Sequence, residues 1–141
     1  MLHYTIPLAP RGASRPRAAR GGGRVYMPPE HRAWMDAAVA ALRDQYLGVP
    51  IPCPVCVEIV AYWTTPKARP RWCNLETWRN REATSGIPYA TKPDADNVAK
   101  MVLDALVDAR ILVDDAIVVE LNVMKRAIQE AARVEVWIEE R

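Results

Sequence analysis

Between Asp96 and Leu106 the chain carries an unbroken helical stripe: Val98, Met101, Val102, Ala105 and Leu106 fall at i, i+3, i+4, i+7 and i+8, while Asp96, Lys100 and Asp104 share the opposite face. Such a helix persists only with its apolar side laid on another layer. The rest of the sequence offers that layer. LHYTIPL (residues 2–8), CPVCVEIVAYW (53–63), IVVELNVMKR (117–126) and ARVEVWIEE (132–140) are rich in β-branched and aromatic residues and predict strands. A second helix is expected in PPEHRAWMDAAVAALRDQYLG, with Pro28 and Pro29 at its entrance, Glu30 in its first turn and Gly48 as its stop. Trp34, Ala38, Ala41, Leu42 and Tyr46 give it one apolar face. The last two strands, separated by a short turn around Gln129 and Glu130, are expected to form a hairpin. The order β-α-β-α-β-β predicts an α+β fold, a small mixed β-sheet with helices packed on it, and 141 residues suit one domain over 1–141.

Two segments interrupt this pattern, and both are basic. Residues 9–29, including RGGGR, hold Arg11, Arg15, Arg17, Arg20 and Arg24 and read as a mobile loop. Residues 64–92 hold Lys67, Arg69, Arg71, Arg79 and Arg81, and Pro66, Pro70, Gly86 and Pro88 argue against regular structure there. Trp72 and Trp78 sit among these cations, either to stack on nucleobases or to anchor the segment. The acids gather elsewhere, at Asp94, Asp96, Asp104, Asp108, Asp114, Asp115 and Glu120, so a net charge of only +2 conceals basic flanks around an acidic centre. That distribution suits a polyanion held beside a metal site, although solvated arginine loops would look the same.

An apolar fraction of 50% with 26% charged residues excludes a wholly disordered chain. No apolar run approaches the roughly 18 residues of a membrane span, and no signal-like segment opens the sequence, so a cytoplasmic protein is expected. Cys53, Cys56 and Cys73 are odd in number, and CPVC has no second CxxC and only His3 and His31 to complete a zinc site. Reduced thiols are expected.

TKPDADNVAK places Asp94 and Asp96 around one small residue at the mouth of the helix. Two readings compete: the acids cap backbone N–H groups and complement the helix dipole, or they converge with Asp115 on a divalent cation with oxygen ligands. Asp114 and Asp115 precede the strand that begins near Ile117. Strand alternation would turn Asp115 toward the core with Ile117 and Val119 unless the chain bends at Ala116. Lys100 is either an added positive charge at the transition state of phosphodiester hydrolysis or an exposed i, i+4 partner of Asp96.

KPDADNVAK followed by LDAL and then VDDAIVVELNVMKR, with RPRAARGGGRVYMPPEHRAW and PKARPRW upstream, resembles the RusA family of Holliday junction resolvases across most of the chain. The resemblance implies that Asp94, Asp96 and Asp115 bind magnesium, with manganese as a substitute, that Lys100 assists them, and that Asp114 is a secondary acid. It implies a bacterial or phage homodimer that binds a four-way DNA junction and nicks two strands symmetrically, leaving 5′-phosphate and 3′-hydroxyl ends. Arg15, Arg17, Arg20, Arg24, Lys67, Arg69 and Arg71 are then the expected DNA contacts. Ala95 stands where relatives carry a larger apolar residue, which leaves the acids intact. The competing expectations are a catalytically silent branched-DNA-binding protein and a phosphoesterase of small nucleotides. The second lacks support, because RGGGR has no P-loop Lys-Ser/Thr ending.

Overall fold

A computed structural model describes residues 1–141. Its frame is a five-stranded mixed sheet in the order β1-β7-β4-β6-β5, built from β1 (Leu2–Ile6), β4 (Val55–Thr64), β5 (Ile87–Pro88), β6 (Val118–Ile128) and β7 (Arg133–Glu140). Two long helices, α1 (Pro29–Gln45) and α3 (Ala95–Asp108), pack together, and their side chains enter the same core as those of the sheet. All five residues of the sequence stripe on α3 are buried. Val98, Val102, Ala105 and Leu106 share one core with Val55, Val57, Ile59 and Ala61 of β4 and Val134, Val136 and Ile138 of β7. Each such aliphatic side chain contributes about 1.5–3 kcal/mol on burial, so this one interface accounts for much of the hydrophobic stabilisation.

The α+β architecture agrees with the expectation, but the terminal hairpin does not form. β6 runs parallel to β4, with Cys56 opposite Glu120 and Thr64 opposite Ile128, and β7 runs antiparallel on the other side of β4, with Tyr62 opposite Arg133. The short link after β6 therefore arches over the end of β4. The Thr65 amide donates to the Ile128 carbonyl at 2.8 Å and the Thr64 hydroxyl to the Glu130 carbonyl at 3.4 Å, tying that end beneath the arch. The reason is burial. β4 hides Val55, Val57, Ile59, Val60 and Ala61, so it takes the centre of the sheet, with β7 on one side and β6 on the other. The parallel pairing is reached through α3, the long crossover that such a pair requires.

Both basic segments are more ordered than their composition suggests. Within 9–29, β2 (Arg17–Ala18) pairs with β3 (Val25–Tyr26) as a small ribbon closed by Gly21, Gly22 and Gly23. Within 64–92, α2 (Leu75–Arg79) begins at Asn74, whose side chain accepts from the Thr77 amide at 2.7 Å. β5 then joins the sheet edge through Ile87 opposite Ala127. Gly86 permits that approach: its φ is +71°, and a Cβ there would run into the Ala127 carbonyl oxygen. Cys73, Ile87 and Ala127 form a second small core against Trp72, Trp78 and Tyr89. Trp72 lies edge-on to Tyr89, Tyr89 stacks on Trp63 at 4.3 Å, and Arg81 covers Trp78 at 4.6 Å. Both tryptophans are thus anchors of the segment. All three cysteines are free thiols. No helix is long and apolar enough to cross a membrane.

Candidate active site

Asp94 occupies the N-cap of α3 with extended backbone angles of −67° and 152°, yet its side chain makes no capping hydrogen bond. Elsewhere the chain caps in the ordinary way, at Asn74 and at Asp114. Asp94 therefore presents an uncommitted, exposed carboxylate at the positive end of the helix dipole, where a negative charge is stabilised without being consumed by folding. Asp96 lies in the first turn and is exposed beside it in sequence. One turn later Lys100, 68% exposed, pairs at 4.0 Å with Asp104 rather than with Asp96. The capping reading thus loses its hydrogen bond, and the i, i+4 reading of Lys100 acquires a different partner.

Asp114 and Asp115 stand at the other end of α3. The bend that would spare Asp115 from the core exists as a 3-10 turn over Asp115–Ile117, begun by Asp114 accepting from the Ala116 amide at 2.7 Å. That bond and a side-chain hydrogen bond with Asp115 hold the Asp114 carboxyl below the usual carboxylate range. Asp114 and Asp115 line a cleft of about 530 Å³ together with Asp36, Asp104, Asp108 and His31. Asp94 belongs to a separate hollow, lined by Arg11, Gly12, Lys92, Pro93 and Asn97. At 1.5 Å rise per residue the helix between them is about 21 Å long. Within the chain no three Asp, Glu, His or Cys side chains are placed to hold a metal ion together.

The seven cations expected to bind DNA are all exposed, and none is in an ion pair. Arg69 donates to the Cys73 carbonyl at 2.7 Å and so also braces its own loop. Two hydrogen bonds that the sequence does not announce carry the N-terminal segment onto α3 and α1. The Ala13 amide donates to the Asn97 carbonyl at 3.1 Å, and the Trp34 indole to the Ala9 carbonyl at 2.9 Å. The contact at Gly12 is so close that a Cβ would lie 2.6 Å from the Pro93 Cβ. Gly12→Ala is accordingly expected to destabilise the protein by about 1–3 kcal/mol through overcrowding. A lowered urea midpoint, with faster tryptic cutting between Arg11 and Arg24, checks this. An unchanged midpoint and digestion rate would show that the segment does not rest on Pro93. The only sequence signal for this docking is a lone glycine between Arg11 and Ala13.

Comparison with known proteins gives the same direction along nearly the whole chain. The family model described as endodeoxyribonuclease RusA matches residues 7–139. The uncharacterized protein YqaN of Bacillus subtilis (strain 168) is 32% identical over 141 residues, covering 99% of this chain and 96% of its own. The crossover junction endodeoxyribonuclease RusA of Enterobacteria phage 82 is 27% identical over 98% of this chain and 93% of its own. The protein of that name in Escherichia coli (strain K12) is 26% identical over 96% and 92%.

Proposed function

Because the chain belongs to the RusA endodeoxyribonuclease family, we propose that it resolves four-way DNA junctions in the bacterial or phage-infected cytoplasm by a magnesium-dependent pair of symmetric nicks. The observation that carries this reading is the uncapped Asp94 carboxylate, set at the start of α3 beside Asp96, which itself lies one turn before Lys100. Hard oxygen donors of this kind suit magnesium, and Asp94, Asp96 and Asp115 are the residues that would hold it. When bound, it supplies charge neutralisation at the phosphoryl oxygens and an acidified water. The chain supplies the rest. The positive end of the α3 dipole lies at Asp94 and Asp96, Lys100 offers a mobile cation to the charge that builds on the phosphate, and exposed arginines hold the junction backbone.

The separation of Asp115 from Asp94 supports a homodimer with shared sites. β5 pairs with β6 only at Arg126 and Ala127, and the Tyr89 amide reaches the Lys125 carbonyl, which leaves the outer edge of Val118–Met124 unpaired. Val119 and Leu121 are 58% and 46% exposed there, an edge that proteins rarely leave open. Asp115 lies at the start of β6, whereas the Lys125 amine near its end donates to the Thr91 carbonyl, three residues before Asp94. Two β6 edges paired antiparallel about a two-fold axis would set Asp115 of one protomer beside the Asp94 end of its partner.

The test is nicking of a synthetic four-way junction and a matched duplex, each with magnesium and with EDTA. Paired magnesium-dependent nicks in the junction alone are expected. Binding without a cut under every divalent metal would instead indicate a silent branched-DNA-binding protein. Mixing Asp96→Asn with Asp115→Asn protein is expected to restore single nicks, since half of the mixed dimers' sites would be whole. A mixture as inactive as its components would place all the acids of a site in one protomer.

A further inference from the structure

We propose that His31 is a positioning residue for DNA binding, a neutral imidazole that clasps the basic N-terminal segment to the α3 face and releases it when protonated. His31 is 8% exposed, the one buried polar or charged side chain of the chain. Its Nδ1 accepts the Ser14 amide at 3.1 Å, which fixes the ring proton on Nε2. The ring makes no other hydrogen bond, and none joins it to Asp94, Asp96 or Asp115. Ser14 lies between Ala13, which is bonded to Asn97, and Arg15, the first of the exposed arginines. The Arg11 guanidinium reaches the Ser14 hydroxyl at 3.4 Å. This one acceptor therefore closes a clasp whose other members are the Ala13 amide and the Gly12–Pro93 contact.

Protonation would put a hydrogen on Nδ1 and face it against the Ser14 N–H, two donors with no acceptor between them. The charged groups around the ring act on that charge in both directions. Arg11 on the segment and Lys100 on α3 repel it, and Asp104 on α3 attracts it. Arg32 and Asp36 of α1 and Asp114 and Asp115 of the 3-10 turn border the same cleft. Burial is the largest influence and, with Arg11 and Lys100, holds the imidazole below its ordinary range. An unfolded histidine takes its proton near pH 6.5, so between that value and the lower native one the unfolded state binds more protons. The contribution of the clasp is thus complete above about pH 6.5 and is lost as the pH falls through the native value.

The test follows the Ser14 amide and the His31 ring by NMR from pH 8 to pH 5 in the DNA-free protein. Loss of Ser14 amide protection with the same midpoint as the His31 titration is expected. His31→Asn, whose Oδ1 can take the place of Nδ1, is expected to keep that protection across the whole range, and His31→Leu to lack it throughout. A Ser14 amide that stays protected while His31 titrates would overturn the proposal, even if neither variant folds. In EDTA, junction affinity of the wild type should fall about five- to tenfold more than that of His31→Asn between pH 7.5 and 5.5, as ordered phosphate contacts are lost. This arm rests on the DNA-binding reading of the segment. Release of Ser14 without any change in affinity would support the clasp and count against that reading alone.

Discussion

Asp96→Asn is expected to reduce junction nicking by about a thousandfold or more, equivalent to roughly 4 kcal/mol of transition-state stabilisation, while junction affinity in EDTA stays within about twofold. The amide keeps the shape of the carboxylate but withdraws the charge that a hard cation needs from its ligand. Folding gives little reason for a loss, because Asp96 is exposed and in no hydrogen bond or ion pair. The capping reading predicts otherwise. Were Asp96 only a favourable charge at a helix start, its neutralisation would lower stability by about 0.3–1 kcal/mol and leave nicking intact. Single-turnover cleavage, with a urea titration of the same variant, separates the two.

The second large effect concerns affinity. Replacing Arg15, Arg17, Arg20 and Arg24 together by Ala is expected to weaken junction binding by about two to three orders of magnitude near 0.1 M salt and to flatten the log–log salt dependence by about 3 to 4. None of the four is ion-paired within the chain, so little internal structure is lost with them. The cleavage rate at saturating protein should recover most of its value, because phosphate contacts position the substrate and the acids remain. An unchanged salt slope would mean that the ribbon is merely solvated and that Lys67, Arg69 and Arg71 carry the binding.

The helical stripe of α3 was legible in the sequence because periodicity reports burial directly, and each of its five residues is buried. The partner of β7 was not. Alternation in ARVEVWIEE says which side chains point inward but not which strand lies alongside, and short links usually make hairpins. What excluded the hairpin is the need of β4 for two neighbours, a property of another segment altogether. The order in residues 64–92 escaped for a related reason: α2 is one turn set by Asn74, and β5 is two residues held by aromatic contacts distant in sequence. At the site, the spacing of Asp94, Asp96 and Lys100 was visible, as was the bend needed at Ala116. That the chain stays at the far end of α3 through Asp115, and so keeps it in a different hollow from Asp94, has no signal in the sequence.

β7 lies between β1 and β4, with Leu2 opposite Ile138 and Val55 opposite Glu140. On the ribosome β7 emerges after the other strands of this sheet, and two of them, β1 and β4, wait for it. At about 5–20 residues per second, β1 spends on the order of ten seconds without a hydrogen-bonding neighbour. A nascent chain halted after β6 could pair β4 with β6 and lay α3 across them, yet it would leave the other edge of β4 bare and β1 adrift. Order at the candidate site is thereby tied to the arrival of β7: a product that ended after β6 would keep Asp94, Asp96, Asp114 and Asp115 but lack the strand that completes the sheet.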